Sequence, residues 1–507
     1  MKKYKFYVLS VVVAALGLSS CEDYLDINTN PNDPSADIVS PELSLGGAMN
    51  QSYMSFVGSS SIGRTDPNTL GNVFMNSWAP NVVTFGGGFT EVFNLDIDNT
   101  FYSRIWENLY LTTLGFSDIQ KWPSEDYDNH KAIAKIMKTF YFQYLVDLYG
   151  DIPYSEAHDV TNPTPVYDDD QAIYRDLVMQ LEQAVALIEG ADASDRVVSN
   201  EDIMLNGDMD QWVRFANTLK LRLLIRESEV AASQPYIQAE MNEFVASGAE
   251  FLTEDVTINP GYSNSSTARQ NPFYSAYGFL IDETTTATGN QATAASEHAI
   301  DFLTGQLPQT QDVYDPRITR LFEPVAGGNF VGVPQGIEDL PGVDEVSPLG
   351  PGLIINSAQD GYIFTASESF LLQAEAISRG YMAGNATALF DMAIESSFAR
   401  LGNTAAQASA YIAEINAGSR LDYDTNPNKI EAIMLQKYVA LMGINGIESW
   451  IEYTRTGYPE TPLATTATRP ARPRRLLYPA SEYTANGVNV PAQTVSDVFT
   501  TGPFWDN

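Results

Sequence analysis

The chain has one cysteine and three histidines in 507 residues. A single thiol forms no internal disulfide, and the Cys/His sets of structural zinc sites need partners that are missing. The histidines, His130, His158 and His298, lie far apart and lack HExxH-type ligand spacing. There is no G-x-S-x-G elbow, no Walker loop and no GxGxxG, so the common nucleophile and phosphate-binding motifs are absent and no cofactor is expected. Basic residues are also scarce, 28 against 64 acidic ones, for a formal charge of −36. A surface of that sign repels nucleic acid and anionic headgroups and favours solubility. Beyond the first 20 residues no apolar run approaches the ~20 residues of a spanning helix.

The N-terminus explains the lone sulfur. Lys2, Lys3 and Lys5 precede an apolar run from Phe6 to Leu18, the order of a secretory signal peptide. Leu18, Ser19 and Ser20 then lead into Cys21, which resembles a bacterial lipobox in the relaxed form common in the Bacteroidota. Residues 1–20 read as a lipoprotein signal peptide, and Cys21 as the site of lipid attachment. Each buried CH2 contributes roughly 0.8 kcal/mol, so two or three acyl chains anchor a protein stably where one is marginal. Residues 21–40, acidic and rich in Asn and Pro, suit an extended leader between the lipid and a folded body over 41–507.

Helical periodicity dominates that body. Between His130 and Tyr154, apolar residues Ile133, Ile136, Met137, Phe140, Tyr141, Tyr144, Leu145 and Leu148 fall at three- and four-residue steps, with Gly150 and Pro153 ending the run. Asp168 to Asp170 open a second helix striped by Ile173, Leu177, Leu181, Val185 and Ile188, and Trp212, Phe215, Leu219 and Leu223 mark a third. Residues 367–380 and 385–402 form a helix pair in which Ala374, Ala376 and Ala393 allow close approach. A further helix uses Ile430, Ile433, Met434, Tyr438 and Leu441. The fold class is therefore mainly α, with stacked helical hairpins. Two stretches differ: 72–100, rich in Gly, Asn and aromatics, and about 257–362, dominated by Gly, Pro, Ser and Thr. Both read as loop-rich excursions and candidate recognition surfaces.

Several motifs in order along the chain carry a family resemblance. They are YGDIPYSEA at Tyr149–Ala157, the segment Gly207–Arg226, NPFY at Asn271–Tyr274, DPRI at Asp315–Ile318, the segment Ser367–Tyr381, QKYVAL at Gln436–Leu441, ESWIEYTRTGYP from Glu448, and RPRRLLYP from Arg472. Together with the lipobox and its acidic follower they resemble the SusD/RagB family of outer-membrane lipoproteins, in the SusD-like type 2 subgroup. The resemblance implies a mainly α fold of tetratricopeptide-like helix pairs with long excursions, lipid-anchored on the outer membrane and exposed at the cell surface. It also implies a SusC-like TonB-dependent transporter as partner, over which the lipoprotein closes as a hinged lid. The function expected is capture of oligosaccharide, or peptide, for delivery to that transporter, without catalysis. A surface glycoside hydrolase is the alternative, since some pair among 64 carboxylates can always be nominated as acid and base. A structural or adhesion protein is a third reading.

Sugar capture needs flat apolar faces beside amides and carboxylates. Composition and approximate family position nominate Trp78, Asn81 and Phe85 from the first excursion and Tyr262, Tyr274 and Tyr277 from the second, each with core packing as the competing role. Asn206, Asp208 and Asp210 show alternate spacing like a calcium loop, but Gln211 stands where the turn glycine belongs. Helix capping accounts for them better and no metal site is expected. Glu375 lies on an otherwise apolar helix and requires an arginine or backbone partner. The cluster Arg472, Arg474 and Arg475 is expected to meet carboxylates.

Overall fold

The computed structural model describes residues 39–58, 66–83, 89–415 and 419–506. Cys21 and Phe85 lie outside them. The main helices are α1 (Pro41–Val57), α2 (Pro67–Phe74), α3 (Arg104–Gln120), α4 (Asp128–Tyr149), α5 (Asp170–Gly190), α6 (Met209–Arg226) and α7 (Gln234–Ser247) in the first half. They are followed by α8 (Glu297–Leu303), α9 (Ala366–Ser378), α10 (Ala386–Leu401), α11 (Ala405–Ile415), α12 (Lys429–Leu441) and α13 (Gly446–Thr456). Four short strands, β1 (Trp78–Pro80), β2 (Val256–Ile258), β3 (Thr293–Ala295) and β4 (Gly361–Phe364), make two antiparallel pairs, β1 with β3 and β2 with β4.

The periodic stretches fold as their spacing dictates. α4 packs between α3 and α5, α5 against α6, and α6 reaches α9. α9 and α10 form the expected close pair: Ala374, Ala376 and Ala393 are fully buried, and Ser367 Oγ donates to the carbonyl of Ala393 at 2.6 Å. Gly150, with φ of +79°, takes the backbone out of α4, a conformation costly to a side-chain-bearing residue. Asp208 caps α6 by accepting from the amide of Gln211 at 3.1 Å, the capping role expected of the NGDMDQ segment. One apolar core runs from Leu45 to Trp505, and a small second cluster of Ala79, Ala294, Val333 and Val346 lies at the β1–β3 pair.

Buried charge runs through the helical core. Glu375 receives Arg455 bidentately at 2.7 and 2.9 Å and Arg379 at 2.8 Å. Arg226 meets Glu448 at 2.6 Å, Glu452 at 2.9 Å and Asp147 at 3.4 Å, and Lys437 bridges Glu448 and Glu452 at 3.2 and 2.8 Å. The terminal arginines differ from expectation. Only Arg474 meets a carboxylate, Asp506, at 2.6 Å. Arg472 donates to the carbonyls of Thr461 and Pro462, and Arg475 to that of Tyr149. Segments that leave the helical ladder need donors for their carbonyls, and these guanidinium groups supply them.

The first excursion is less loop-like than its composition suggests. Asn72 and Phe74 are buried in α2, and Trp78 is buried in β1. The asparagines of α2 bond a distant backbone: Asn68 Oδ1 accepts from the amide of Gly446 at 2.9 Å, and Asn72 Oδ1 from that of Gly443 at 2.9 Å. Asn and Gly that read locally as turn formers serve here to bring α2 against the start of α13.

Candidate functional site

The two excursions meet at the β1–β3 pair, where Trp78 faces Ala295 and Pro80 faces Thr293. β3 runs directly into α8 through Ser296, whose hydroxyl accepts from the amide of Ala299 at 3.0 Å and donates to the carbonyl of Asn76. This dual bond fixes α8 beside the residues that precede β1. The neighbouring amide of Glu297 donates to Val333 O at 2.9 Å, tying in the 331–336 segment. Gln335 completes the joint, its Nε2 donating to the carbonyls of Val73 and Trp78, each at 2.8 Å.

Beside this joint lies a cleft of about 380 Å³. Glu297, His298 and Asp301 of α8 line it with Asn76, Gln309, Gln335 and Glu460, and Leu307, Pro308, Pro334, Pro462 and Leu463 supply its apolar part. The volume falls in the range of small-molecule sites, about 300–1,000 Å³, and a mostly apolar wall with a few convergent polar groups is their usual make-up. Each wall is braced. Gln309 and Glu460 exchange hydrogen bonds, Nε2 to the Glu460 carbonyl at 3.0 Å and the Glu460 amide to Oε1 at 3.2 Å. Asn76 Nδ2 donates to Pro462 O at 2.7 Å, and Arg472 donates to the same carbonyl.

The polar groups that remain are available. His298 is 8% exposed, and its buried Nε2 has no hydrogen-bond partner. Burial, with the Arg472 charge nearby, pushes its imidazole down to about 3, so the ring is neutral. Asp301, raised by burial, and Glu297 make no side-chain hydrogen bond to a described residue, whereas Glu460 lies 3.5 Å from Arg420. A neutral imidazole, free carboxylates and amide oxygens on a braced frame are suited to hydrogen-bonding a polyhydroxylated ligand.

The residues nominated from sequence lie elsewhere. Trp78 is buried against Tyr277 and Phe273, with ring centroids 5.1 and 6.4 Å apart. Tyr277 is buried and its hydroxyl lies 2.5 Å from that of Thr69. Asn81 is buried, donating to Gln291 O at 2.6 Å and accepting from the Val83 amide at 3.0 Å. Tyr262 is buried with its hydroxyl on Asn50 Oδ1 at 3.1 Å, and Tyr274 is buried beside Phe279 at 6.3 Å. In this conformation these five side chains pack the frame, and none lines the cleft. Among the described residues, the cleft has no aromatic wall apart from the His298 ring. Sequence reasoning missed α8 because a single EHAID turn between Ser296 and Leu303 carries no motif. The signal available was a histidine and two carboxylates on adjacent faces of one capped turn.

The other two histidines take no part: His130 pairs with Glu201 at 3.1 Å, and His158 Nε2 lies 3.0 Å from Thr113 Oγ1. His298 has a measurable consequence. Its folded-state pKa is depressed, so its contribution to stability is complete above the unfolded value of ~6.5 and is lost as pH falls toward about 3. The loss is about 1.4 kcal/mol per pH unit within that window. Urea unfolding of the wild type and His298→Gln at pH 7, 6, 5 and 4 is expected to show the variant losing less by that slope. Parallel profiles would mean that the wild-type ring is solvated.

Comparisons agree with this architecture. A family model described as starch-binding proteins associating with the outer membrane, SusD-like_2, matches residues 49–479. Among solved structures, a chitin-binding protein is 26% identical with a TM-score of 0.70, over 91% of this chain and 99% of that one. A chitin-binding SusD homolog from Flavobacterium johnsoniae is 21% identical with a TM-score of 0.74, over 91% and 98% of the two chains. A SusD homolog from Parabacteroides distasonis is 19% identical with a TM-score of 0.73, over 92% and 98%. The last two carry the fold alone. No curated protein matches the chain.

Proposed function

Because the chain belongs to the SusD-like_2 family of outer-membrane-associated proteins, we propose that it binds an oligosaccharide, without turning it over, for uptake by the cell. The observation that carries this reading is the braced cleft, whose buried His298 Nε2, free carboxylates and amides stand together where the two excursions meet. The family description names starch and the 26%-identical neighbour is a chitin-binding protein, so short oligomers of glucose and of N-acetylglucosamine are the ligands to offer first. A peptide is the further ligand class. No helix among the described residues is long and apolar enough to cross a membrane. In this reading the membrane attachment is the lipid on Cys21, and the protein faces outward beside a SusC-like TonB-dependent barrel that receives the ligand.

Titration calorimetry of the purified protein with both oligomer series, followed by chromatography of the mixtures, tests the proposal. Saturable binding without new products is expected, and Asp301→Asn combined with His298→Phe should weaken it at least tenfold, about 1.4 kcal/mol. Shortened products would replace this reading with the glycoside hydrolase, for which Glu297 and Asp301 would be the first carboxylates to mutate. The anchoring arm is separate: Cys21→Ala is expected to free the protein from the membrane fraction, and the wild type to co-purify with a β-barrel.

A further inference from the structure

A second cleft, of about 440 Å³, opens on the helical side between α3, α4, α5 and the connection around Tyr154 and Asp168. Three of its lining residues, Lys138, Gln120 and Thr139, carry donors with no acceptor among the described residues. Lys138 Nζ has no oxygen acceptor among the described residues, and its nearest aromatic ring, Phe142, is centred 5.5 Å away. Gln120 Nε2 is buried without an acceptor. Thr139 is 2% exposed, and its hydroxyl makes no hydrogen bond to a described residue. All three residues line the cleft.

The carboxylates nearby accept from other donors, not from these three. Asp168 accepts from the amides of Tyr154 and Ser155 at 3.0 and 2.7 Å and from the Ser155 hydroxyl at 2.8 Å. Asp176 accepts from the Tyr154 hydroxyl and from Gln180 Nε2 at 3.2 Å. Lys135 is held by Gln180 and Gln183 at 2.6 and 3.1 Å. An ammonium, an amide and a hydroxyl, each short of an acceptor, fit a group that offers several oxygens and a negative charge. Buried donors left unmatched are unfavourable, and a bound oxyanion offsets that cost at Gln120 and Thr139.

We propose that this cleft is a second binding site, for a small ligand carrying a carboxylate, sulfate or phosphate group, held by Lys138 with Thr139 and Gln120. The chain's net charge of −36 keeps large polyanions away, whereas a sugar-sized anion fits the volume. The site shares no lining residue with the His298 cleft, so either can fail without the other.

The pH response follows from the groups that face Lys138. Burial, with Lys121 and Lys135 adding to it, lowers the Lys138 ammonium to about 8, and Asp176 opposes them. His158 is pushed down to about 4 by burial and by Lys138 and Lys121, so it adds no charge near neutrality. Asp168 and Tyr154 complete the surroundings, and the Tyr154 hydroxyl, raised by burial and by the charges of Asp176 and Asp168, stays neutral from pH 6 to 9. Anion affinity is therefore expected to fall as pH rises past about 8.

Calorimetry of the full protein with sodium sulfate, inorganic phosphate and glucuronate is the test. Binding of at least one of them below about 1 mM, weakened tenfold or more by Lys138→Met and by Thr139→Val and retained by Lys138→Arg, supports the site. Unfolding curves of each variant separate lost binding from lost fold. If none of the three anions binds the wild type, or if Lys138→Met binds as the wild type does, the proposal is overturned.

Discussion

Arg226→Met is expected to lower the free energy of unfolding by about 3–5 kcal/mol, the cost of leaving buried carboxylates without their counter-charge. The side chain is fully buried and serves Asp147, Glu448 and Glu452 at once, residues contributed by α4 and α13 to an arginine on α6. The ion pairs around it stabilise one another. Desolvation opposes ionisation of Glu448 and Glu452, yet the charges of Arg226, Lys437 and Arg455 or Arg222 outweigh it and hold both carboxyls below their ordinary range. Depressed acids contribute stability above their unfolded pKa of ~4.3 and lose it as pH falls through the folded value. Asp147 has the opposite sign. Burial raises it to about 6, so its contribution favours the fold at low pH and is lost as pH rises from ~4 through 6. Removing Arg226 should raise all three carboxyls and move the onset of acid unfolding toward neutral pH in the Glu448 and Glu452 range. Urea midpoints at pH 7 and 5 measure both effects. A loss under about 1 kcal/mol would mean that water reaches the network and screens it.

Gly71→Ala is expected to be nearly as damaging, at about 3 kcal/mol. A methyl built on Gly71 would lie 2.0 Å from the carbonyl carbon of Gly446 and 2.1 Å from the amide of Ile447, so two backbones would have to separate. Overpacking usually costs about 1–3 kcal/mol, and this position is at the upper end because the obstacle is main chain rather than a side chain that can rotate. Separation would also stretch the bonds from Asn68 and Asn72 to the 443–446 backbone. Since α2 leads into β1, the cleft should loosen with it. Thermal unfolding of Gly71→Ala beside Gly47→Ala, where a methyl meets nothing within 4 Å, is the controlled measurement. Equal midpoints would show that the helices part without penalty.

The long helices were legible because their apolar residues recur at the α-helical period and their ends carry local signals. Gly150, Asp208 and the alanines of α9 and α10 behave as local chemistry requires. The partner of Glu375 was legible only as a need, since nothing in one dimension distinguishes Arg455, eighty residues away, from any other arginine. The first excursion was misleading for a physical reason. Asparagine and glycine promote turns by bonding or freeing nearby backbone, and the same properties serve a crossing with backbone hundreds of residues distant. The aromatics Trp78, Tyr274 and Tyr277 offer the flat faces a sugar would use, but a ring packs equally well against another ring, and here protein covers them.

By itself the sequence determined the class of fold and the family, because periodicity, caps and motif order are properties of neighbouring residues. It also pointed to a lipid anchor at Cys21 and to chemistry of recognition rather than nucleophilic catalysis. Tertiary structure decided which polar groups are left without partners. Whether His298, Asp301, Lys138 or Thr139 has a free hydrogen-bonding atom depends on what the rest of the chain brings within about 3 Å. That depends on three-dimensional packing, which places Asn76 beside α8 and leaves Lys138 without a hydrogen bond to Asp176.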